Sequence, residues 1–89
     1  MREYNYDYTV NPENSSETFR ELCDKIARQY PTFRREKLFI DDDGSTIQVF
    51  SDNGKEIVVS DDYNSGCVFV VSDVDMSNDI PDENHSRGN

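Results

Sequence analysis

The sequence predicts a single α+β domain with the order β-α-β-β-β-β, one amphipathic helix packed on a mostly antiparallel sheet. Three observations carry this. Phe19, Leu22, Cys23, Ile26, Ala27 and Tyr30 stand at helical spacing, the apolar stripe of a helix with one buried face. Residues 37–60, KLFIDDDGSTIQVFSDNGKEIVVS, contain Asp43-Gly44 and Asn53-Gly54, dipeptides that tolerate the positive φ of tight hairpin turns and so divide the stretch into three strands. An alternating segment before the helix and a β-branched run at 67–72 add two more strands. A chain of 89 residues has room for one hydrophobic core and no second domain.

The first strand is expected over residues 3–10, where Tyr4, Tyr6, Tyr8 and Val10 alternate with Glu3, Asn5, Asp7 and Thr9. Such a pattern places the rings over the core with their hydroxyls reaching water. Asn11-Pro12-Glu13-Asn14 breaks the strand. Ser15 and Ser16 are the candidate N-caps, and Glu17 in the first turn complements the helix dipole. Pro31 ends the helix, because the residue before a proline is pushed out of the α region. Arg34, Arg35 and Lys37 then answer the carboxyl end of the helix and nearby carboxylates.

With two-residue loops at both turns, Ile40 faces Ile47, Leu38 faces Val49, Phe50 faces Ile57 and Val49 faces Val58. One face then gathers Leu38, Ile40, Ile47, Val49 and Val58 as the expected core. The other gathers Phe39, Gln48, Phe50, Ile57 and Val59, rimmed by Asp41, Asp52 and Asp61. That second face is too apolar to be left in water. A symmetric homodimer through Phe39, Phe50, Ile57 and Val59, or the carboxyl-terminal segment folding back through Val74 and Met76, is expected to cover it. The run Cys67-Val68-Phe69-Val70-Val71-Ser72 suits a central strand that wants cover on both sides. Residues 1–76 form the expected acidic domain. Residues 77–89 lose all periodicity and read as a disordered acidic tail, with Ile80 able to dock.

Charge is the sharpest functional signal. The formal net charge is −10, and residues 1–37 are balanced, with seven acids and seven bases. Residues 38–86 carry twelve acids against Lys55 alone. Such a surface disfavours direct binding to nucleic acid, whose phosphates need Lys and Arg. It favours a basic protein partner. No stretch approaches the roughly 18 apolar residues of a membrane span, and MREYNYDY lacks the apolar core of a signal peptide. The expectation is a cytoplasmic protein, in the host cytoplasm if phage-encoded. The sequons at Asn14 and Asn84 are then silent, and Cys23 and Cys67 are reduced thiols packed as small hydrophobes.

Catalytic chemistry is sparse. His85, the sole histidine, falls in the expected tail and lacks a nucleophile partner. No glycine-rich phosphate loop is present. Asp41-Asp42-Asp43-Gly44 does not fit a calcium loop, since Gly44 at the sixth position makes Phe39 the first ligand and Phe50 the twelfth. No enzyme, cofactor or metal is expected.

The same stretch, DDDGSTIQVFSDNGKEI, residues 41–57, resembles the acidic interaction motif of the Phox and Bem family of ubiquitin-like domains, which pair an acidic loop with a basic cluster. The likeness covers 17 of the 89 residues. That family opens with a hairpin before its first helix and turns helical after the motif, where this chain has one strand and the extended Ile57-Val58-Val59. The resemblance implies that Asp41, Asp43, Asp52 and Glu56 engage lysines and arginines of another protein. Asp42, Asp61 and Asp62 extend the expected acidic face. The leading functional expectation is a small acidic inhibitor that occupies the basic groove of a nuclease or other nucleic-acid-binding protein by charge mimicry. In size and charge it is similar to phage anti-restriction and anti-CRISPR proteins and to nuclease-immunity proteins. The alternative is a cellular acidic interaction or scaffold module that binds a basic segment.

Overall fold

The structure, a computed structural model, describes residues 3–80. Along the chain it holds β1 (Tyr6–Asn11), α1 (Ser16–Gln29), β2 (Arg34–Arg35), β3 (Phe39–Ile40), β4 (Thr46–Asp52), β5 (Lys55–Asp62) and β6 (Cys67–Ser72). This is the expected α+β domain, one helix on an antiparallel sheet of order β1-β6-β5-β4-β2, with β3 also paired to β4. Chain entry and exit explain the helix position. β1 and β2 lie at opposite edges of the sheet, so the segment between them must cross one face, and it crosses as α1.

Local chemistry sets the helix ends. The Ser15 side chain accepts from Thr18 N at 3.0 Å, which satisfies one of the amide donors left open in the first turn. At the other end Tyr30 N donates to Ile26 O at 2.9 Å before Pro31 interrupts. Phe19, Leu22, Cys23 and Ile26 are the buried stripe. They meet Tyr8, Val10, Phe50, Ile57, Val59, Val68 and Val70 in one core.

This reverses the faces expected from the hairpin register. Phe50, Ile57 and Val59, expected at an outer interface, are fully buried beneath α1 at 0% exposure. Ile47, Val49 and Val58, expected in the core, are half-buried on the opposite side. The amphipathic edge strand decides the matter. Tyr8 pairs with Val70, Val70 with Val59, and Val59 with Gln48, so the buried side of β1 fixes the parity of every strand beyond it. Alternation from Tyr8 puts Val10 on that side too, and a bulge between Thr9 and Asn11 then sets Asn11 opposite Val68.

One turn follows expectation and one does not. Asn53 (φ 50°) and Gly54 (φ 89°) form a two-residue loop with Asp52 facing Lys55, as a type I′ turn requires. The Asp43-Gly44 turn is one residue longer. Asp41 N donates to Ser45 O at 2.8 Å and Gly44 N to Asp41 O at 3.0 Å, so Asp42, Asp43 and Gly44 form a three-residue loop closed by Gly44 at φ 91°. Phe39 therefore faces Ile47 and Ile40 faces Thr46, a one-residue slip that moves Phe39 away from the Phe50 side. Glu36, Lys37 and Leu38 lie opposite only Val49 and Gln48, a bulge separating β2 from β3. Gln48 fills it, donating to Glu36 O at 2.5 Å and accepting from Arg35 Nε at 3.4 Å.

The segment after β6 closes the rest of the inner face. Met76 (0% exposed) and Ile80 (4%) belong to the core and Val74 packs against it. Met76 N donates to the Tyr8 hydroxyl at 2.8 Å, which itself donates to Asp75 at 3.2 Å, and the Tyr30 hydroxyl donates to Asp79 at 2.5 Å. The body thus reaches Ile80, past the boundary expected after residue 76. The remainder of the expected tail, residues 81–89 with His85 and the Asn84 sequon, lies outside the described residues.

Candidate partner-binding surface

The expected acidic face comprised Asp41, Asp42, Asp43, Asp52, Glu56, Asp61 and Asp62. The structure keeps the first three together and disperses the others. Asp41, Asp42 and Asp43 are exposed at the tip between β3 and β4. Asp41 Oδ1 accepts from Asp42 N at 2.8 Å and Asp43 Oδ1 from Ser45 N at 2.9 Å, local bonds that each use one oxygen of the carboxylate. Among the described residues none of the three forms an ion pair. Leu38 (46% exposed), Phe39 (56%) and Ile40 (64%) precede them directly, so the projecting hairpin is apolar at its base and acidic at its tip.

That tip is braced from behind. Ser45 is buried, and its hydroxyl donates to Asp62 Oδ1 at 3.2 Å while accepting from Tyr63 N at 2.9 Å. The Tyr63 ring comes within 2.9 Å of where a Cβ on Gly44 would sit, closer than a side chain there allows. The β5–β6 turn thereby holds the acidic turn in one geometry. Asp62 also takes two bonds from Ser65, hydroxyl at 2.8 Å and amide at 3.1 Å. The Ser65 hydroxyl bond is the chief reason its carboxyl lies below the usual aspartate range.

The remaining expected contacts are committed to the fold. Asp61 is buried, at 4% exposure, and accepts from Asn14 Nδ2 at 2.8 Å. Asp52 accepts from the Thr32 hydroxyl at 3.0 Å and Glu56 from the Tyr4 hydroxyl at 2.6 Å. The Asn14 amide nitrogen, which a glycan would have to occupy, also donates to Asp62 O at 3.0 Å. The expected homodimer patch is divided too: Phe50, Ile57 and Val59 lie under the helix and cannot meet a partner, while Phe39 stands exposed on the other side.

Of the bases after the helix, Arg34 and Arg35 are likewise engaged, and Lys37 is exposed. Arg35 reaches Asp24 at 3.4 Å and lies 5.8 Å from the Phe50 ring centre. Arg34 pairs with Glu36 at 3.2 Å. The Ser51 hydroxyl also donates to Glu36, and that bond, followed by the Arg34 contact, holds the Glu36 carboxyl below its usual range.

Sequence reasoning missed the uncovered side of the sheet. Ile47, Val49, Val58, Phe69 and Val71 form its middle and are half-buried. The signal was present in β1, whose Asp7 and Thr9 mark the side turned away from the helix. A cleft of about 320 Å³ opens at its corner, lined by Asp7, Thr9, Asp62, Ser65, Cys67 and Phe69. Cys67 is half-buried there, not packed in the core, whereas Cys23 is at 0% exposure. Burial chiefly pushes the Cys23 thiol up to about 11, which keeps it protonated and unreactive. Among the described residues no group of three metal-binding side chains converges, and no helix is long and apolar enough to cross a membrane. No family model, no curated protein and no solved structure matches the chain.

Proposed function

We propose that this protein is a non-enzymatic binding module that engages a basic segment of another protein through the β3–β4 hairpin. The observation that carries the reading is the braced tip, where Asp41, Asp42 and Asp43 project together beyond exposed Leu38, Phe39 and Ile40. Three adjacent carboxylates without cationic partners among the described residues attract Lys and Arg, and the apolar base of the hairpin supplies contact area once charge has oriented the encounter.

The tip favours an interaction module over mimicry of a long phosphate track. Imitation of a duplex needs an extended exposed row, because DNA presents one charge per about 1.7 Å of axis. Asp52, Glu56, Asp61 and Asp62 are instead bonded to Thr32, Tyr4, Asn14 and Ser45. A basic segment within a nuclease fits the tip as well as one from any other protein, so inhibition of such an enzyme is one form this binding takes.

The test compares the native chain with Asp41→Asn/Asp42→Asn/Asp43→Asn in binding a lysine- and arginine-rich peptide. Asparagine keeps the acceptors that close the turn, so folding should be unchanged or slightly strengthened as self-repulsion falls. Affinity at low salt should drop by about 1 to 3 kcal/mol, chiefly through slower association. The difference should shrink as screening shortens to about 8 Å at physiological ionic strength. Undiminished binding by the triple variant at low salt would remove the tip from the interface.

A further inference from the structure

The register lays out the uncovered side of the sheet row by row. Phe39, Ile47, Ser60, Phe69 and Thr9 lie side by side across β3, β4, β5, β6 and β1. The adjacent row runs Val49, Val58, Val71 and Asp7. Residues paired across antiparallel strands point to the same face, so these two rows form one apolar stripe perpendicular to the strands. Phe39 is 56% exposed, and none of the stripe's apolar residues belongs to the core packed around α1.

Carboxylates surround the stripe. Glu56 lies beyond one row, but its carboxylate is already bonded to the Tyr4 hydroxyl at 2.6 Å and belongs to the fold, not to the free rim. Asp62 lies beyond the other, next to the Asp41 to Asp43 tip to which Ser45 ties it. Asp7 stands at the β1 edge. Arg34, which the register places opposite Ser51 on this side, is already held by Glu36 at 3.2 Å.

We infer that this stripe is the docking surface for a basic amphipathic helix of a partner protein, with the partner's Lys and Arg reaching the rim carboxylates. The inference rests on the reading of the chain as a module for basic partners and names the partner's shape. The dimensions accommodate a helix. Five strands at about 4.8 Å spacing span roughly 19 Å, the length of about 13 helical residues at 1.5 Å each. The fold covers its own inner face with a helix of 14 residues. The cleft lined by Asp7, Asp62 and Phe69, about 320 Å³ in volume, offers one cationic side chain the Asp7 carboxylate, the negative charge of an Asp62 held in place by Ser45 and Ser65, and an aromatic neighbour.

Other occupants fit less well. Residues 81–89, PDENHSRGN, carry no large apolar side chain to lay on the stripe. A second copy would set one acidic rim against another, which costs association free energy at a net charge of −10 per chain.

Two synthetic peptides of identical leucine and lysine composition test the inference on the intact chain. One carries leucines at i, i+3, i+4 and i+7, and the other is scrambled so that no apolar face forms. The helical peptide should perturb the NMR resonances of Val49, Val58, Phe69, Val71, Asp7 and Asp62, and should bind at least about tenfold more tightly than the scrambled one. Val58→Lys should weaken it by a similar factor without changing the fold. Equal binding of both peptides, with shifts confined to Asp41, Asp42 and Asp43, would overturn the helical docking surface while leaving the acidic tip in place. Binding of neither at low salt would overturn both. A native dimer in sedimentation that Val58→Lys dissociates would assign the stripe to a second copy and overturn the inference as well. The resonance map is made on the unaltered chain, so it decides even if Val58→Lys fails to fold.

Discussion

Hydroxyl groups donate to carboxylates throughout this fold, where most proteins would use Lys and Arg. Tyr4 donates to Glu56, Tyr8 to Asp75, Tyr30 to Asp79, Thr32 to Asp52, and both Ser45 and Ser65 to Asp62. The reason is compositional: past residue 37 the described chain holds one cation, Lys55, so its acids take neutral donors. A hydrogen bond to a charged acceptor contributes about 1.5 to 3 kcal/mol, and a half-exposed one less. Tyr30→Phe is therefore expected to cost about 1 to 2 kcal/mol by releasing Asp79 and loosening the segment that carries Met76 and Ile80. The same contact has a pH signature. Burial first, and then the bond and charge of Asp79, raise the Tyr30 hydroxyl above its ordinary 10.0; burial likewise leads the upward shift at Tyr8. A raised folded pKa means stabilisation that is complete below the ordinary value and lost as pH climbs through the folded one. An alkaline ultraviolet titration should thus show two tyrosines ionising late, together with unfolding. In Tyr30→Phe one late tyrosine should disappear and the unfolding temperature should fall. An unchanged unfolding temperature would mean that the Tyr30 hydroxyl does not hold the segment.

At the scale of elements, β5 displays both sides of the sheet in consecutive residues. Ile57 is at 0% exposure under α1 and its neighbour Val58 is half-buried on the uncovered side. Ile57→Asp places an unpaired carboxylate in the core and removes a large apolar contact, a loss of several kcal/mol that a domain with about 5 to 15 kcal/mol of stability barely survives. Val58→Asp should cost about 1 kcal/mol or less. Thermal unfolding of the pair decides the face assignment, and equal losses would show that both faces are buried. Much of this architecture was legible in the sequence. The helix, its cap at one of two adjacent serines, the Asn53-Gly54 hairpin and the interior place of β6 follow from periodicity and turn chemistry, which act over a few residues. The choice of buried face was not, because the β4–β5 hairpin is apolar on both sides and two neighbouring strands cannot say which side the helix takes. Only the amphipathic pattern of β1 breaks the tie, through a pairing with β6 that joins Tyr8 to Val70 across the whole chain. The three-residue loop at Gly44 was likewise hidden, since Asp-Gly serves two-residue and three-residue hairpins alike. The acidic site was half legible: charge density pointed to Asp41, Asp42 and Asp43, but the withdrawal of Asp61 into a bond with Asn14 is a tertiary event.

The whole molecule balances self-repulsion at a net charge of −10 against carboxylates whose bonds require them to stay ionised. Amide and hydroxyl bonds from Ser77 lower Asp75, the Ser65 hydroxyl leads the lowering of Asp62, and the Ser51 hydroxyl leads that of Glu36. A depressed folded pKa stabilises the folded state above the ordinary value, here 3.8 for the aspartates and 4.5 for the glutamate, and the contribution is lost as pH falls through the folded value. Self-repulsion runs the other way, easing as pH drops from 7 toward the isoelectric point near 4.3. Unfolding temperature should accordingly hold steady or rise slightly between about pH 7 and pH 5, then fall below about pH 4 as the bonded carboxylates protonate. Salt separates the two effects. Exposed carboxylates repel over distances that salt screens, whereas hydroxyl bonds act at contact and are little affected. At pH 7 added salt should raise the unfolding temperature, and near the isoelectric point it should change it little. Melting curves across this pH range at two ionic strengths provide the measurement. A fall in unfolding temperature with salt at pH 7 would mean that ion pairs, not hydroxyl donors, hold the acidic half together.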